Sequence, residues 1–273
     1  MEKEGLCKVN SRNSLPDRLA DKVLIVFVAI SLIPIFTLFN ATFQFFISDN
    51  FKVPEFFRQS GFMNYLKNSI FLSSMSIFLG LALALPAAYA LSRYKFTGFN
   101  MFSILVVFPL LIPTIAYFLP FAVTIKRIQD VIGIKFYNSY NGYFILAIMY
   151  AVMYLPYGIW MLRGFIVAIP VEIEEAARVD GCSTLGIMVR ILMPLMGSGI
   201  VVTAMLLLML AWDERMLVDV LMTTDNMRTV SLWPSFDYSR LATSPLTSVP
   251  IILIFLAVQK NFMKGLTGGA LKE

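Results

Sequence analysis

The chain has 273 residues, of which 58% are hydrophobic and only 14% are charged, and its mean hydropathy is +0.76. Soluble domains are nearer half apolar and a quarter charged, so this composition excludes an ordinary soluble domain and predicts a protein that crosses a membrane several times. The net charge of +5 requires no nucleic-acid partner, because basic residues that flank membrane spans determine orientation.

Six apolar stretches are long enough to cross a hydrocarbon core about 30 Å thick, which takes roughly 20 residues per helix. They cover residues 23–46, 68–91, 101–123, 143–162, 195–212 and about 241–262. The predicted fold class is therefore all-α, a polytopic membrane protein with six transmembrane helices.

The distribution of basic residues predicts the orientation of these spans. If both termini lie on one side, that side holds 13 of the 22 Lys and Arg residues, and residues 1–22 alone contribute five. Both termini are therefore predicted to be cytoplasmic. The chain then divides into a cytoplasmic N-terminal segment (1–22), a transmembrane domain (23–262) with a cytoplasmic loop (163–194), and a cytoplasmic C-terminal tail (263–273).

Small residues and prolines indicate how the spans pack. Gly80, Ala84 and Ala88 lie four residues apart in the second span, and this spacing lets helices approach closely in lipid. Prolines inside the spans are expected to bend them. These are Pro34, Pro86, Pro109, Pro113, Pro120 and Pro156.

A charged stretch, PVEIEEAARVDGCSTLGIMVRILMP (170–194), separates the fourth span from the fifth. Pro170 suits the first turn of a helix, and Gly181 can adopt the left-handed conformation that ends one. Ser183 or Thr184 can cap a second helix. The stretch therefore predicts two short helices joined at Asp180 and Gly181.

The same stretch predicts how each short helix is used. Glu174 precedes Arg178 by four residues, the favourable orientation for an ion pair. Leu185, Met188, Val189 and Leu192 recur with helical spacing and predict one apolar stripe on the second helix. Small residues on the first helix would let a partner approach, although an amphipathic loop that rests on lipid headgroups remains an alternative.

This stretch resembles the "EAA" loop in permease subunits of binding-protein-dependent ABC importers. That pattern is E-A-A, three residues, G, nine residues, then I-x-L-P. Here it reads Glu175-Ala176-Ala177, Gly181 and Ile191-Leu192-Met193-Pro194, with Met193 in the leucine position as the one departure.

The resemblance extends from about Asn64 to the C-terminus. "NYLKNSIFLS", "AYALSRYKFTG" and "GLTGGALK" are similar to the carbohydrate-importing, maltose-type subgroup. "AWDERM" stands where that subgroup commonly has a W-N-E-F-like stretch. Asp213 and Arg215 are therefore departures, and they leave the substrate contacts at this position open.

The resemblance implies a coupling helix between the fourth and fifth spans, which docks on a cytoplasmic ATPase. The residues that match this role are Glu174, Glu175, Ala176, Ala177, Asp180 and Gly181. It also implies two ATPase subunits, a second permease subunit (usually a different chain in this subgroup), an extracytoplasmic solute-binding protein, and a site in the cytoplasmic membrane of a bacterium or archaeon.

The chain itself is expected to be non-catalytic. It has no GxxxxGK[S/T] phosphate loop, so ATP and Mg would bind to the partner ATPase subunits and no cofactor to this chain. It has no histidine and no clustered cysteines, so neither catalytic residues nor a metal site are expected.

A sugar substrate would bind through hydrogen bonds and through stacking on aromatic rings. Candidate residues for the translocation path are Tyr117, Tyr154, Tyr157, Trp212, Asp213 and Glu214. Core packing or an interfacial belt explains the same rings equally well.

Three other functions remain open from the sequence. A secondary transporter or channel would work without ATP, but it usually needs ionisable residues within its helices. A membrane enzyme would need a catalytic constellation, for which only carboxylates near Asp213 are present. A permease of the same family could carry a non-sugar solute such as glycerol phosphate or a peptide, and Arg215, Arg228 and Arg240 leave an anionic sugar open.

Overall fold

The computed structural model describes residues 15–47, 61–95, 97–233 and 244–270, and in these residues all regular secondary structure is helical. The all-α prediction is confirmed for this part of the chain. Contacts divide the chain into two compact units, Met1–Lys52 and Val53–Glu273.

The first unit contains helix α1 (Leu15–Ile47), which includes the predicted first span. Its apolar stretch Asp21–Gln44 has a mean hydropathy of 2.5, so α1 is long and apolar enough to cross a bilayer. Ser31 and Thr37 donate their hydroxyls to backbone carbonyls of the same helix, which satisfies these groups where water is absent. The remainder of the predicted segment 1–22, residues 1–14, lies outside the described residues.

The second unit is organised around helix α2 (Phe62–Arg93), which contains the predicted second span. With 32 residues it is about 48 Å long, more than the thickness of the hydrocarbon core. It packs on α5 (Tyr140–Met153), α6 (Leu155–Val167) and α9 (Gly197–Asp213). One helix thus connects both ends of the unit.

Small residues allow this close packing, as the sequence predicts. Ala84 and Ala88 are fully buried. A Cβ atom added to Gly158 of α6 would lie 3.0 Å from the Cβ of Ala84, and one added to Gly80 would lie 3.3 Å from Cδ1 of Leu207 in α9. The helices are therefore too close for larger side chains at these contacts.

The predicted third span, 101–123, is not one continuous helix. It consists of α3 (Phe99–Val107), a 3₁₀ turn (Phe108–Leu111) and α4 (Thr114–Ile132), and the two arms meet at 91°. Ile112 is extended (φ −89°, ψ 120°) because the ring of Pro113 excludes the helical conformation from the residue before it. The sharp bend lies at Pro113, whereas α4 continues through Pro120.

The fourth predicted span, 143–162, is also broken, and its halves α5 and α6 bend by 50° at Tyr154. Pro156 lies in the first turn of α6 and has no N–H to continue the hydrogen bonding of α5. In contrast, α1 and α2 continue through Pro34 and Pro86. Helix α6 extends to Val167, so the first residues of the predicted loop 163–194 are helical.

The loop contains α7 (Val171–Val179) and α8 (Thr184–Leu195), and α9 follows α8 at 84°. A short helix, α10 (Met216–Leu221), comes after α9.

The predicted sixth span corresponds to a 3₁₀ turn (Ser244–Ser248) and α11 (Val249–Ala270), while residues 241–243 and 271–273 lie outside the described residues. Among the described helices, only α1 and α2 are by themselves long and apolar enough to cross a membrane. Three bent pairs reach the same length and hydropathy when the two helices are taken together, namely α3–α4, α5–α6 and α8–α9.

Candidate functional site

The helices α7 and α8 form a hairpin at one end of the second unit, and its turn is local in origin. Gly181 has φ +83°, and its N–H and that of Cys182 donate to carbonyls of Arg178 and Ala177 at 3.0 and 2.9 Å. Ser183 then caps α8 by accepting a hydrogen bond from the N–H of Gly186 at 3.2 Å. The predicted pair of helices and its glycine turn are confirmed.

A buried ion pair holds α7 against the body of the unit. The Nε of Arg93, the last residue of α2, lies 2.7 Å from Oε1 of Glu174, and both side chains are at least nine-tenths buried. The guanidinium of Arg93 also donates to the carbonyls of Ile166 and Ile169 at 3.0 and 2.9 Å. Arg93 thus joins α2, the end of α6 and α7.

The predicted ion pair between Glu174 and Arg178 is wrong. Glu174 pairs with Arg93 instead, and its second oxygen accepts a hydrogen bond from the hydroxyl of Tyr89 at 3.1 Å. Arg178 donates to the same hydroxyl at 3.2 Å and contacts the carboxylate only through Tyr89. A charge buried in the interior needs partners, and α2 supplies two that lie more than 80 residues away in sequence.

The predicted apolar stripe of α8 is correct only in part. Met188 and Leu192 are buried, but Leu185 and Val189 are 70% and 51% exposed, and Ile187 is fully buried in their place. The reason is a π-helical turn over Met188–Leu192, which changes the spacing of the side chains that face the core.

The outer surface of the hairpin combines charge with exposed apolar side chains. Glu175, Ala176 and Asp180 are exposed, whereas Glu174 and Ala177 are buried within this chain. Val179 is 88% exposed and lies next to the turn, on the other side of which Leu185 is exposed. Apolar side chains in this setting are typical of a surface that another molecule covers.

Away from the hairpin, where α5 and α6 meet the end of α9, there is a cavity of about 740 Å³. It brings together five of the six residues predicted for the translocation path. These are Tyr154, Tyr157, Trp212, Asp213 and Glu214. Tyr117 is elsewhere, on α4, where its hydroxyl donates to the carbonyl of Pro109 at 3.2 Å.

The residues of the WDERM stretch have different roles in this cavity. Asp213 and Arg215 are exposed at its wall, whereas Glu214 is buried. The carboxylate of Glu214 accepts hydrogen bonds from the hydroxyl of Tyr150 at 2.7 Å and from the N–H of Leu217 at 3.1 Å. Burial raises the pKa of the Glu214 carboxyl above its ordinary value. Glu214 therefore joins α5 to the first turn of α10.

Sequence reasoning missed the polar residues that complete the cavity. Ser231, Thr247 and Ser248 line it from segments that follow α10. The carbonyl of Thr247 accepts a hydrogen bond from Nε1 of Trp212 at 3.1 Å, which fixes the orientation of the indole. These residues carry no local pattern, and only long-range packing brings them to Trp212.

The long apolar helices, the bent spans and the hairpin define a helical membrane transport component. The family described as "Binding-protein-dependent transport system inner membrane component" matches residues 76–266, and the chain belongs to this family. It is therefore a permease subunit and not an enzyme, as the EAA resemblance predicts.

Relatives across most of the chain are also permeases. The "Diacetylchitobiose uptake system permease protein DasC" of Streptomyces coelicolor is 32% identical over 219 residues, which are 77% of this chain and 76% of the relative. The "Arabinooligosaccharides transport system permease protein AraQ" of Halalkalibacterium halodurans is 31% identical and covers 79% of this chain and 77% of its own length. The "Trehalose/maltose transport system permease protein MalG" of Thermococcus litoralis is 29% identical, with coverages of 77% and 76%.

The fold is similar to that of a bacterial ABC transporter involved in the import of the acidic polysaccharide alginate. The TM-score is 0.67, and the alignment covers 92% of this chain and 99% of the other at 20% identity. A second structure of an alginate ABC transporter, in complex with an alginate pentasaccharide-bound periplasmic protein, aligns with a TM-score of 0.68 and 17% identity, covering 90% and 96%. This similarity supports the fold.

Proposed function

We propose that the chain is the permease subunit of an ATP-driven importer for a sugar or oligosaccharide, and that it forms half of the translocation path. Saccharides are named for three relatives and for the transporter of similar fold, which supports this class of substrate. The cavity at Trp212 has the required chemistry, with aromatic rings, hydroxyls, two carboxyl groups and one guanidinium.

In this proposal the chain crosses the cytoplasmic membrane six times, with both termini in the cytoplasm. α1, α2, the bent pairs α3–α4 and α5–α6, α9 and α11 are the spans. Residues 1–22 and 263–273 are cytoplasmic segments, and residues 163–194 form the cytoplasmic loop, whose first residues continue helix α6 to Val167. The basic residues on this side support the orientation.

The hairpin is the contact with a cytoplasmic ATPase, and this single feature carries the proposal. Glu175, Ala176 and Asp180 are exposed for docking, and Gly181 forms the turn. Glu174 and Ala177 act from inside the chain, as the attachment of α7 to the body. The apolar side chains exposed beside the turn are typical of a protein–protein contact. They support a protein partner, and not contact with lipid headgroups alone.

The complete transporter then contains this chain, a second permease that is usually a different chain, two ATPase subunits that bind ATP and Mg, and an extracytoplasmic solute-binding protein. Closure of the ATPases on ATP moves the docked hairpins. The buried pair of Arg93 and Glu174 transmits that movement to α2 and α6, which pack against each other. ATP thereby biases the equilibrium between inward- and outward-open states.

The test is ATP hydrolysis by the complex in proteoliposomes, stimulated by the purified solute-binding protein with its sugar. Glu175→Lys reverses a charge at the contact, and Gly181→Pro removes the left-handed turn. Both variants should lose the stimulation while the amount of inserted chain is unchanged.

Asp130→Lys is the matched control, because Asp130 is exposed near the end of α4 and the change in charge is the same. It should retain stimulated hydrolysis. Retention of full coupling by both hairpin variants contradicts the assignment. Uptake that survives ATP depletion with the ion gradient intact would instead indicate a secondary transporter.

A further inference from the structure

Arg163 on α6 has no anionic partner among the residues that the structure describes. Its guanidinium carbon lies 5.0 Å from the ring centroid of Trp160 and 6.0 Å from that of Phe99. Its Nε is buried and has no hydrogen-bond partner among the described residues. Aromatic rings attract the charge but accept no strong hydrogen bond, so a buried N–H remains unsatisfied.

Two adjoining cavities meet at this side chain. The first, of about 700 Å³, is lined by polar groups of α2, the α2–α3 connection, α3 and α6, and we call it the headgroup cavity. Its polar residues are Ser92, Tyr94, Lys95, Asn100 and Arg163. No acidic residue is among the described residues that line it, so its charge comes from Lys95 and Arg163. The cavity is electrostatically complementary to an anion.

The second cavity, of about 640 Å³, is an apolar groove along α3, which we call the chain groove. It shares Phe99, Asn100 and Arg163 with the headgroup cavity. Its apolar wall is formed by Ile104, Val107, Phe108, Leu111 and Trp160. From Asn100 to Leu111 the α-helical and 3₁₀ residues together rise about 18 Å, which is more than half the thickness of the hydrocarbon core.

A cationic cavity that continues into a groove of this length matches one molecule with an anionic head and a long apolar chain. We propose that Arg163 and Lys95 bind the phosphate of an anionic phospholipid, and that one of its acyl chains lies in the chain groove. A free phosphate fits the headgroup cavity but leaves the groove uncovered. This proposal depends on the proposed membrane topology in one respect only, because that topology places the bound lipid in the cytoplasmic leaflet.

Comparison with Arg93 shows which partners Arg163 lacks among the described residues. Both are arginines near the same end of the unit, but Arg93 donates to a carboxylate and to two backbone carbonyls. Arg163 has two aromatic rings nearby, and no such acceptor for its Nε among the described residues. A lipid phosphate supplies the missing oxygen atoms, and anionic lipids attract basic residues at the membrane surface.

The test is native mass spectrometry of the purified transporter complex after delipidation, with phosphatidylglycerol and phosphatidylcholine of identical acyl chains as probes. We expect one phosphatidylglycerol to bind in preference to phosphatidylcholine. Arg163→Gln and Lys95→Gln should each weaken its binding about fivefold, the attraction expected of one basic residue. Lys95 is exposed, so its variant is expected to fold even if Arg163→Gln does not.

Lys22→Gln is the control, since it removes the same charge from an exposed position that lines neither cavity. It should leave phosphatidylglycerol binding unchanged. Equal binding of the two lipids, or unchanged binding in both site variants, overturns the proposal.

Ile104→Trp separates a lipid from a free anion. Ile104 lines the chain groove and is 68% exposed, so the larger ring obstructs the groove and leaves both cations in place. The lipid should be lost from this variant, whereas a site for inorganic phosphate would keep its phosphate. A crosslink to the second permease from a thiol-reactive photo-crosslinker attached to Ile104→Cys would show that protein covers the groove, and it also overturns the proposal. The lipid-binding measurements contain neither ATP nor sugar, so a negative result in them does not contradict the proposed importer function.

Discussion

The carboxylate of Glu174 in α7 lies 2.7 Å from the guanidinium of Arg93 at the end of α2, and Arg93 also donates to one carbonyl in the last turn of α6 and to one just beyond it. The hairpin is therefore attached to two helices through one side chain. Because this attachment is buried, displacement of the hairpin must either move α2 and α6 or break a charge pair away from water.

Removal of one partner should therefore be costly. Glu174→Gln leaves Arg93 as a buried cation without its counter-ion, a loss of about 3–5 kcal/mol of stability. Glu172→Gln, on the exposed part of the same helix, should have almost no effect. Thermal unfolding of the purified complex measures both variants, and solute-stimulated ATP hydrolysis should fall in Glu174→Gln alone.

A double-mutant cycle separates the pair from other effects of the substitutions. The two side chains are coupled if the double variant Arg93→Gln/Glu174→Gln loses less free energy of unfolding than the two single variants lose in sum. Simple additivity would argue against a functional link through this pair.

The turn at Gly181 gives a second prediction, which concerns backbone conformation alone. No atom lies within 4 Å of a Cβ added to Gly181, but its φ of +83° is unfavourable for other residues. Gly181→Ala should therefore destabilise the hairpin by about 1–2 kcal/mol. Gly197→Ala, which also meets no atom and has no positive φ, should be neutral. Limited proteolysis of the hairpin measures the difference, and equal cleavage of the two variants would refute the explanation.

Close packing between α6 and α9 gives a third prediction. A Cβ at Gly199 would overlap the ring of Phe165, so Gly199→Ala should cost about 1–3 kcal/mol of stability through overpacking. Gly164→Ala, next to Phe165 but with nothing within 4 Å, should stabilise α6 by about 0.5–1 kcal/mol. The melting temperatures should move in opposite directions, and a shift of the same sign in both would contradict this packing.

Local features of this chain were predictable from sequence, and long-range ones were not. Gly181 and Ser183 specify the hairpin because a turn and a cap depend on neighbouring residues. The partner of Glu174 lies on another helix, so the sequence favoured the nearby Arg178 instead. Pro113 marked a bend, but its angle depends on how α3 and α4 pack in three dimensions.

The candidate sites show the same division. The aromatic and acidic residues of the cavity were predictable by type, but Tyr117 belongs to another part of the fold and Thr247 has no recognisable pattern. From the sequence, Arg163 contributes only to the number of basic residues that predicts the orientation of the spans. Its aromatic neighbour Phe99 comes from a different helix, so the site around it emerges only when the chain is folded.

The buried carboxyl of Glu214 gives a prediction for pH. Because burial raises its pKa, the folded state binds a proton more tightly than the unfolded state, and stability is lost as the pH rises through the folded pKa. Glu214→Gln is neutral at every pH and keeps a similar shape. The melting temperature of the parent protein relative to this variant should therefore fall as the pH rises above the ordinary pKa of a glutamic acid side chain. A constant or rising difference would show that Glu214 has no such shift.

The cavity near Trp212 gives a prediction for transport. Tyr157 is 37% exposed at the cavity wall, so its ring is available to stack on a sugar, whereas Tyr117 lies elsewhere and donates to Pro109. Tyr157→Ala should remove about 1 kcal/mol of apolar contact and raise the apparent KM for uptake about fivefold. Tyr117→Ala is the matched control and should leave the KM unchanged. If both variants alter the KM equally, the loss is a general effect of removing a tyrosine, and the ring of Tyr157 does not contact the sugar.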